Sequence, residues 1–167
     1  MKTLVIHPKD STTDFLSDIY SDKKWDVITT NVSKKQLKDS IKSHDRIIMM
    51  GHGTELGLLG FDRYIINSSL VYLLRDKICI CIWCNANIFV DKYKLKGFYT
   101  GMIISEYEES LMYSIPTNDY FLTESNKDFA NAIKKSIDTD NILNNTLKYY
   151  DGNSAVVTFN KQNLFQT

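Results

Sequence analysis

The chain has 167 residues, 43% hydrophobic and 24% charged with only two prolines, a composition that excludes long disordered stretches and suits one compact domain. Twenty basic and twenty acidic side chains cancel to a formal net charge of zero, which removes the field that draws a chain to nucleic acid or anionic lipid, so neither is expected as a partner. Three cysteines, an odd number crowded at Cys79, Cys81 and Cys84, exclude a secreted disulfide framework and point to a reducing, cytoplasmic setting.

Short apolar runs, each followed by a turn and a segment of helical period, mark the β-α alternation of a parallel sheet. The first strand is read from Thr3 to His7. Pro8, Lys9 and Asp10 follow, and then Ser11 to Asp14 offer hydroxyl and carboxylate caps for a helix carrying Phe15, Leu16, Ile19 and Tyr20. A second strand spans Trp25 to Thr29. Ser33 caps the next helix, where Leu37 and Ile41 lie four apart and Lys34, Lys35, Lys38 and Lys42 form the solvated face.

The third strand, Arg46 to Met50, is apolar after its first residue, as a strand covered on both faces should be, and ends at Gly51-His52-Gly53. Leu56 to Leu59 and Tyr64 to Ile66, flanking Gly60-Phe61-Asp62-Arg63, predict a hairpin, and a helix starts near Ser68. The fourth strand, Ile78 to Trp83, ends at Cys84-Asn85-Ala86-Asn87. The fifth, Phe98 to Ile104, ends at Ser105-Glu106. Helices are expected at about 108–114, 120–136 and 141–150, and a last strand at Ala155 to Phe159. Right-handed crossovers then predict a three-layer α/β sandwich over residues 1–167, its mainly parallel sheet in the order 2-1-3-4-5.

In such a sheet the ligand crevice lies beyond the carboxyl ends of the strands, where both His52 and Cys84 fall. A neighbouring imidazole and a helix N-terminus favour a thiolate, so this pair suits a nucleophile with its base, with the N–H groups of Gly53 and Cys84 as an oxyanion hole. Asp10, Asp14, Glu106, Glu108 and Glu109 collect at the same end. His7, ending the first strand, is a further candidate for the crevice, whereas His44, before a strand, reads as a surface or capping residue. Cys79 and Cys81, two apart on one strand, read as core. The C-x-C-x-x-C run falls short of the four ligands of a zinc site, so neither metal nor cofactor is expected.

The runs Ile47-Ile48-Met49-Met50-Gly51-His52-Gly53 and Ile78-Cys79-Ile80-Cys81-Ile82-Trp83-Cys84, with a hairpin and helix between, resemble the caspase-like cysteine peptidases: caspases, metacaspases, separases, gingipains and CHAT proteins. The resemblance spans about residues 2–105. It implies a caspase-like fold and a cysteine hydrolase acting on a peptide or protein substrate, with His52 as base and Cys84 as nucleophile. Asp10, Asp14, Glu106 and Trp83 would then touch the substrate, and the carboxylates would favour a basic residue before the scissile bond. Two other readings stay open. One is a non-catalytic domain of the same fold that binds a small ligand or protein partner in the crevice. The other is a nucleotide- or nucleoside-processing enzyme in which His7, Asp10, Thr12, Thr13 and Asp14 hold a ribose or phosphate.

Overall fold

A computed structural model describes residues 1–167. Its centre is a six-stranded sheet built from β1 (Thr3–Ile6), β2 (Asp26–Ile28), β3 (Arg46–Met50), β7 (Ile78–Ile82), β8 (Lys96–Thr100) and β9 (Leu164–Gln166). The order is β2-β1-β3-β7-β8-β9, parallel throughout except for β9, which runs antiparallel to β8. Parallel doubly wound sheets of such order serve unrelated functions, so the order does not carry a caspase-like assignment. A separate three-stranded sheet, β4 (Gly53–Thr54), β5 (Gly57–Gly60) and β6 (Arg63–Ile66), fills the span between β3 and β7.

Period-two alternation divides the sheet residues between two cores. Ile47 and Met49 face one way with Leu4, Ile6, Cys79 and Cys81, and pack under α1 (Lys34–Lys42), α2 (Val71–Leu74) and α3 (Ala86–Tyr93). Ile48 and Met50 face the other way with Val5, Ile80 and Ile82. They pack under a 3-10 helix at Ser11–Ile19 and under α5 (Asp119–Ser136), α6 (Ile142–Tyr149) and α7 (Ala155–Lys161). The central strands are therefore buried on both sides, which is why they read as unbroken apolar runs. No helix is long and apolar enough to cross a membrane.

Local chemistry explains the helix starts. Ser33 and Gln36 close a reciprocal capping box before α1, and Asn118 accepts from Phe121 N at the start of α5. One expected element is of the wrong type: Ala155 to Phe159 is the first part of helix α7, not a strand. Ser154 accepts from Val157 N as its cap, and Val156, Val157 and Asn160 bury a helical face, which outweighs the strand preference of the paired valines. The closing strand is β9, which begins five residues beyond Phe159. His44 also departs from expectation. It is buried, holding Ser40 O at 2.6 Å and Asp26 Oδ2 at 2.8 Å, and so ties α1 to β2.

Candidate functional site at the strand ends

β3 and β7 are neighbours, with Met50 opposite Ile82, so His52 and Cys84 leave the sheet side by side. The two glycines around His52 serve different needs. Gly51 turns the chain out of β3 at φ +142, a conformation open to glycine, while its N–H still bonds Ile82 O at 3.1 Å. Gly53 is required for space: a Cβ there would lie 2.2 Å from Trp83 Cδ1. Trp83 is correspondingly a core residue, 2% exposed, with its Nε1–H donated to Thr54 O at 2.9 Å. Its indole nitrogen is spent on the hairpin and offers nothing to a substrate.

The imidazole of His52 is bonded to the 3-10 helix, and no hydrogen bond joins it to Cys84. Its Nε2 lies 2.6 Å from Thr12 Oγ1, and Thr12 Oγ1 lies 2.6 Å from Asp10 Oδ1. Hydrogen bonds from the Thr12 side chain and backbone hold the Asp10 carboxyl below the usual carboxylate range, with a smaller contribution from His52. Asp10 is therefore an acceptor only, and the single hydroxyl proton of Thr12 must go to it. With the ring neutral, His52 donates from Nε2–H to Thr12, which donates to Asp10, and the free lone pair sits on Nδ1.

Cys84 is engaged in the opposite direction. Its thiol is shared between Ile103 O at 3.6 Å and Glu109 Oε2 at 3.5 Å. Burial first, and the Glu109 carboxylate second, push the thiol up to about 12. Glu109 is itself fixed at the start of α4 (Tyr107–Met112), where Oε1 accepts from Ser105 N, Ser105 Oγ and Glu106 N. Burial and then Glu109 raise the Glu106 carboxyl, and His52 partly offsets this. Asparagines hold the segment from behind. Asn160 Oδ1 accepts from Ile104 N at 2.8 Å, Asn160 Nδ2 donates to Ile104 O at 3.0 Å, and Asn126 donates to Ser105 O.

Two hollows meet at His52. The inner one is mainly apolar, lined by Phe15, Leu16, Ile82, Trp83, Ile103 and Phe129 among others, with Cys84 and Glu109 in its wall. It offers about 30 Å³, room for one or two waters. The outer one offers about 290 Å³ between Pro8, Lys9, Asp10 and Thr13 on one side and the β5–β6 hairpin, with Phe61, Asp62 and Arg63, on the other. Of the residues expected at the crevice, His52, Asp10, Cys84, Trp83 and Glu109 border these hollows or the contacts just described. Asp14 lines neither hollow and is exposed, and His7 is buried beneath the 3-10 helix. The role of Glu109 had a legible signal, the Glu106-x-x-Glu109 spacing of a helix start; Asn160 had none, because its partner lies 56 residues away.

No known family model matches the chain, and no curated protein does. Among solved structures the chain is similar to an NADPH-quinone reductase from P. pentosaceus, at 16% identity and a TM-score of 0.39, covering 78% of this chain and 98% of that one. The caspase-like resemblance, the hydrolase assignment and its basic-residue preference are withdrawn. The site geometry gives the physical reason. A thiol paired with a carboxylate and pushed up to about 12 is the reverse of an activated nucleophile, and the imidazole that should serve it is bonded to Thr12. With no thiolate to attack, an oxyanion hole at Gly53 and Cys84 has no tetrahedral intermediate to hold.

Proposed function

We propose that the crevice beyond β1, β3 and β8 binds a small polar molecule and that His52 exchanges a proton with it through Nδ1. The observation that carries this is the ordered chain from Asp10 through Thr12 to His52, at 2.6 Å for each link. A carboxylate that reaches an imidazole through a hydroxyl fixes the ring's tautomer and orientation and stabilises the imidazolium formed when Nδ1 takes a proton. The outer hollow supplies the room, about 290 Å³, close to the lower end of small-ligand pockets. Its walls carry charges of both signs, Lys9 and Arg63 against Asp10 and Asp62, which suits a ligand with polar groups at both ends. The three free cysteines fit a reducing compartment, and a cytoplasmic setting is part of the proposal.

The test is nitrogen-15 NMR of the imidazole ring, followed by a screen of small polar compounds. The neutral His52 ring should carry its proton on Nε2, and Thr12→Val should release it into a mixture of tautomers. Compounds that enter the crevice should shift the His52 resonances and lose affinity in His52→Gln. A ring protonated on Nδ1 in its neutral form would refute the proton chain and the role built on it.

A further inference from the structure

The inner hollow is walled on one side by Thr13, Phe15 and Leu16 of the 3-10 helix Ser11–Ile19. Nine residues is long for this helix type, which is rarely sustained beyond three or four because its hydrogen bonds are poorly aligned. Of the nine, Thr13, Leu16 and Ile19 are buried and Phe15 packs against the same core, so one helical face holds the segment while Ser11, Thr12, Asp14 and Asp18 stay exposed. Its two ends are pinned by one side chain rising from β1. His7, 3% exposed, places Nδ1 2.9 Å from Tyr20 OH at the far end and Nε2 3.3 Å from Thr13 Oγ1 near the start. A third pin is the Thr12 contact with His52.

From this geometry we infer that the segment Ser11–Ile19 is a lid on the inner hollow, latched by His7 at Tyr20 and Thr13 and by His52 at Thr12, and opening while the sheet stays folded. The inner hollow, at about 30 Å³, is too small for anything but water with the lid shut. Lifting Phe15 and Leu16 would join it to the outer hollow and give a ligand an apolar end-pocket beside His52. Closure would bring Thr12 back to the ring and restore the proton chain, so lid position would regulate the same site. The inference rests on the proposed role of that site only for its purpose. The motion itself is independent of any ligand.

The protein carries its own reporters. Cys84 lies in the wall of the inner hollow, whereas Cys79 and Cys81 are buried within β7. Labelling with methyl methanethiosulfonate at pH 8, read by mass spectrometry of each cysteine, follows access to Cys84, which is only partly exposed with the lid shut, against global opening at the other two. Tyr20→Phe and, separately, Thr13→Val each remove one latch hydrogen bond, and each should speed Cys84 labelling by about 2- to 10-fold. Labelling of Cys79 and Cys81 should not change with it. If all three cysteines accelerate together, the opening is unfolding and the lid is refuted. If Cys84 labelling is unchanged in both variants, the latch is refuted. The His52 tautomer is measured separately, so a rigid lid would leave the proton chain standing, and a wrong tautomer would leave the lid standing.

Discussion

Asn160 is 1% exposed and reproduces, with one side-chain amide, the pairing a neighbouring strand would give to Ile104. Its Oδ1 accepts from Ile104 N at 2.8 Å, and its Nδ2 donates to Ile104 O at 3.0 Å and to Tyr150 OH at 3.2 Å. Asn160→Leu keeps the volume but strands both backbone groups of Ile104, each at about 1–3 kcal/mol, so a loss of about 2–6 kcal/mol is expected. The Tyr150 hydroxyl retains Ser125 Oγ at 2.5 Å and adds little to the loss. For a chain of this size the melting temperature should fall by roughly 4–24 °C. Urea unfolding followed by circular dichroism measures the loss directly, and an unchanged slope with denaturant would show that the denatured state is unaltered. Asn160→Asp sharpens the comparison. Its carboxylate would face the Ile104 carbonyl, and burial would raise its pKa above the unfolded value of ~3.9, so this variant should be most stable in acid and lose stability as pH rises through the raised value. A loss below about 1 kcal/mol in Asn160→Leu would refute the claim that this amide substitutes for a strand.

Three further predictions test the site and its support. Thiolate absorbance at 240 nm should show Cys84 titrating far above an ordinary cysteine; Glu109→Gln removes the facing carboxylate and should bring it down, and a wild-type value at or below the free-cysteine ~8.5 would contradict the geometry. Burial lowers the His7 pKa, so the native state prefers the neutral ring: its contribution is complete above the unfolded value of ~6.5 and is lost as pH falls through the lowered native value. The urea midpoint should therefore decline on acidification below that point, and His7→Gln should flatten this part of the curve, leaving the separate loss below ~3.9 from the lowered Asp10 carboxyl. Gly53→Ala would set a methyl 2.2 Å from Trp83 Cδ1 and 2.5 Å from Gly57 O, so a cost of about 1–3 kcal/mol and a shifted tryptophan emission are expected; a neutral result would mean the hairpin gives way freely.

The sequence alone determined where the first four strands lie and which residues leave the ends of the third and fourth; the fifth, read as Phe98 to Ile104, runs Lys96–Thr100 instead, and the last was a helix. The runs Arg46–Met50 and Ile78–Ile82 are apolar because helices cover both faces, a local signature of a central parallel strand, and adjacency of the two follows from a crossover of that length. That was enough to set His52 and Cys84 beside one another at the strand ends. It was not enough to say what either side chain does, since one rotation about Cβ chooses between partners. His52 takes Thr12, 40 residues earlier, and Cys84 takes Glu109, 25 residues later, and neither choice leaves a trace in local periodicity. The same holds for His7 and His44, whose polar atoms are satisfied inside the fold, and for Ala155–Lys161, whose capping serine and buried helical face decided its type. Strand position is set by hydrophobic period over a few residues, whereas the proton chain and the half-buried thiol are set by contacts between distant segments that meet only after the sheet has closed.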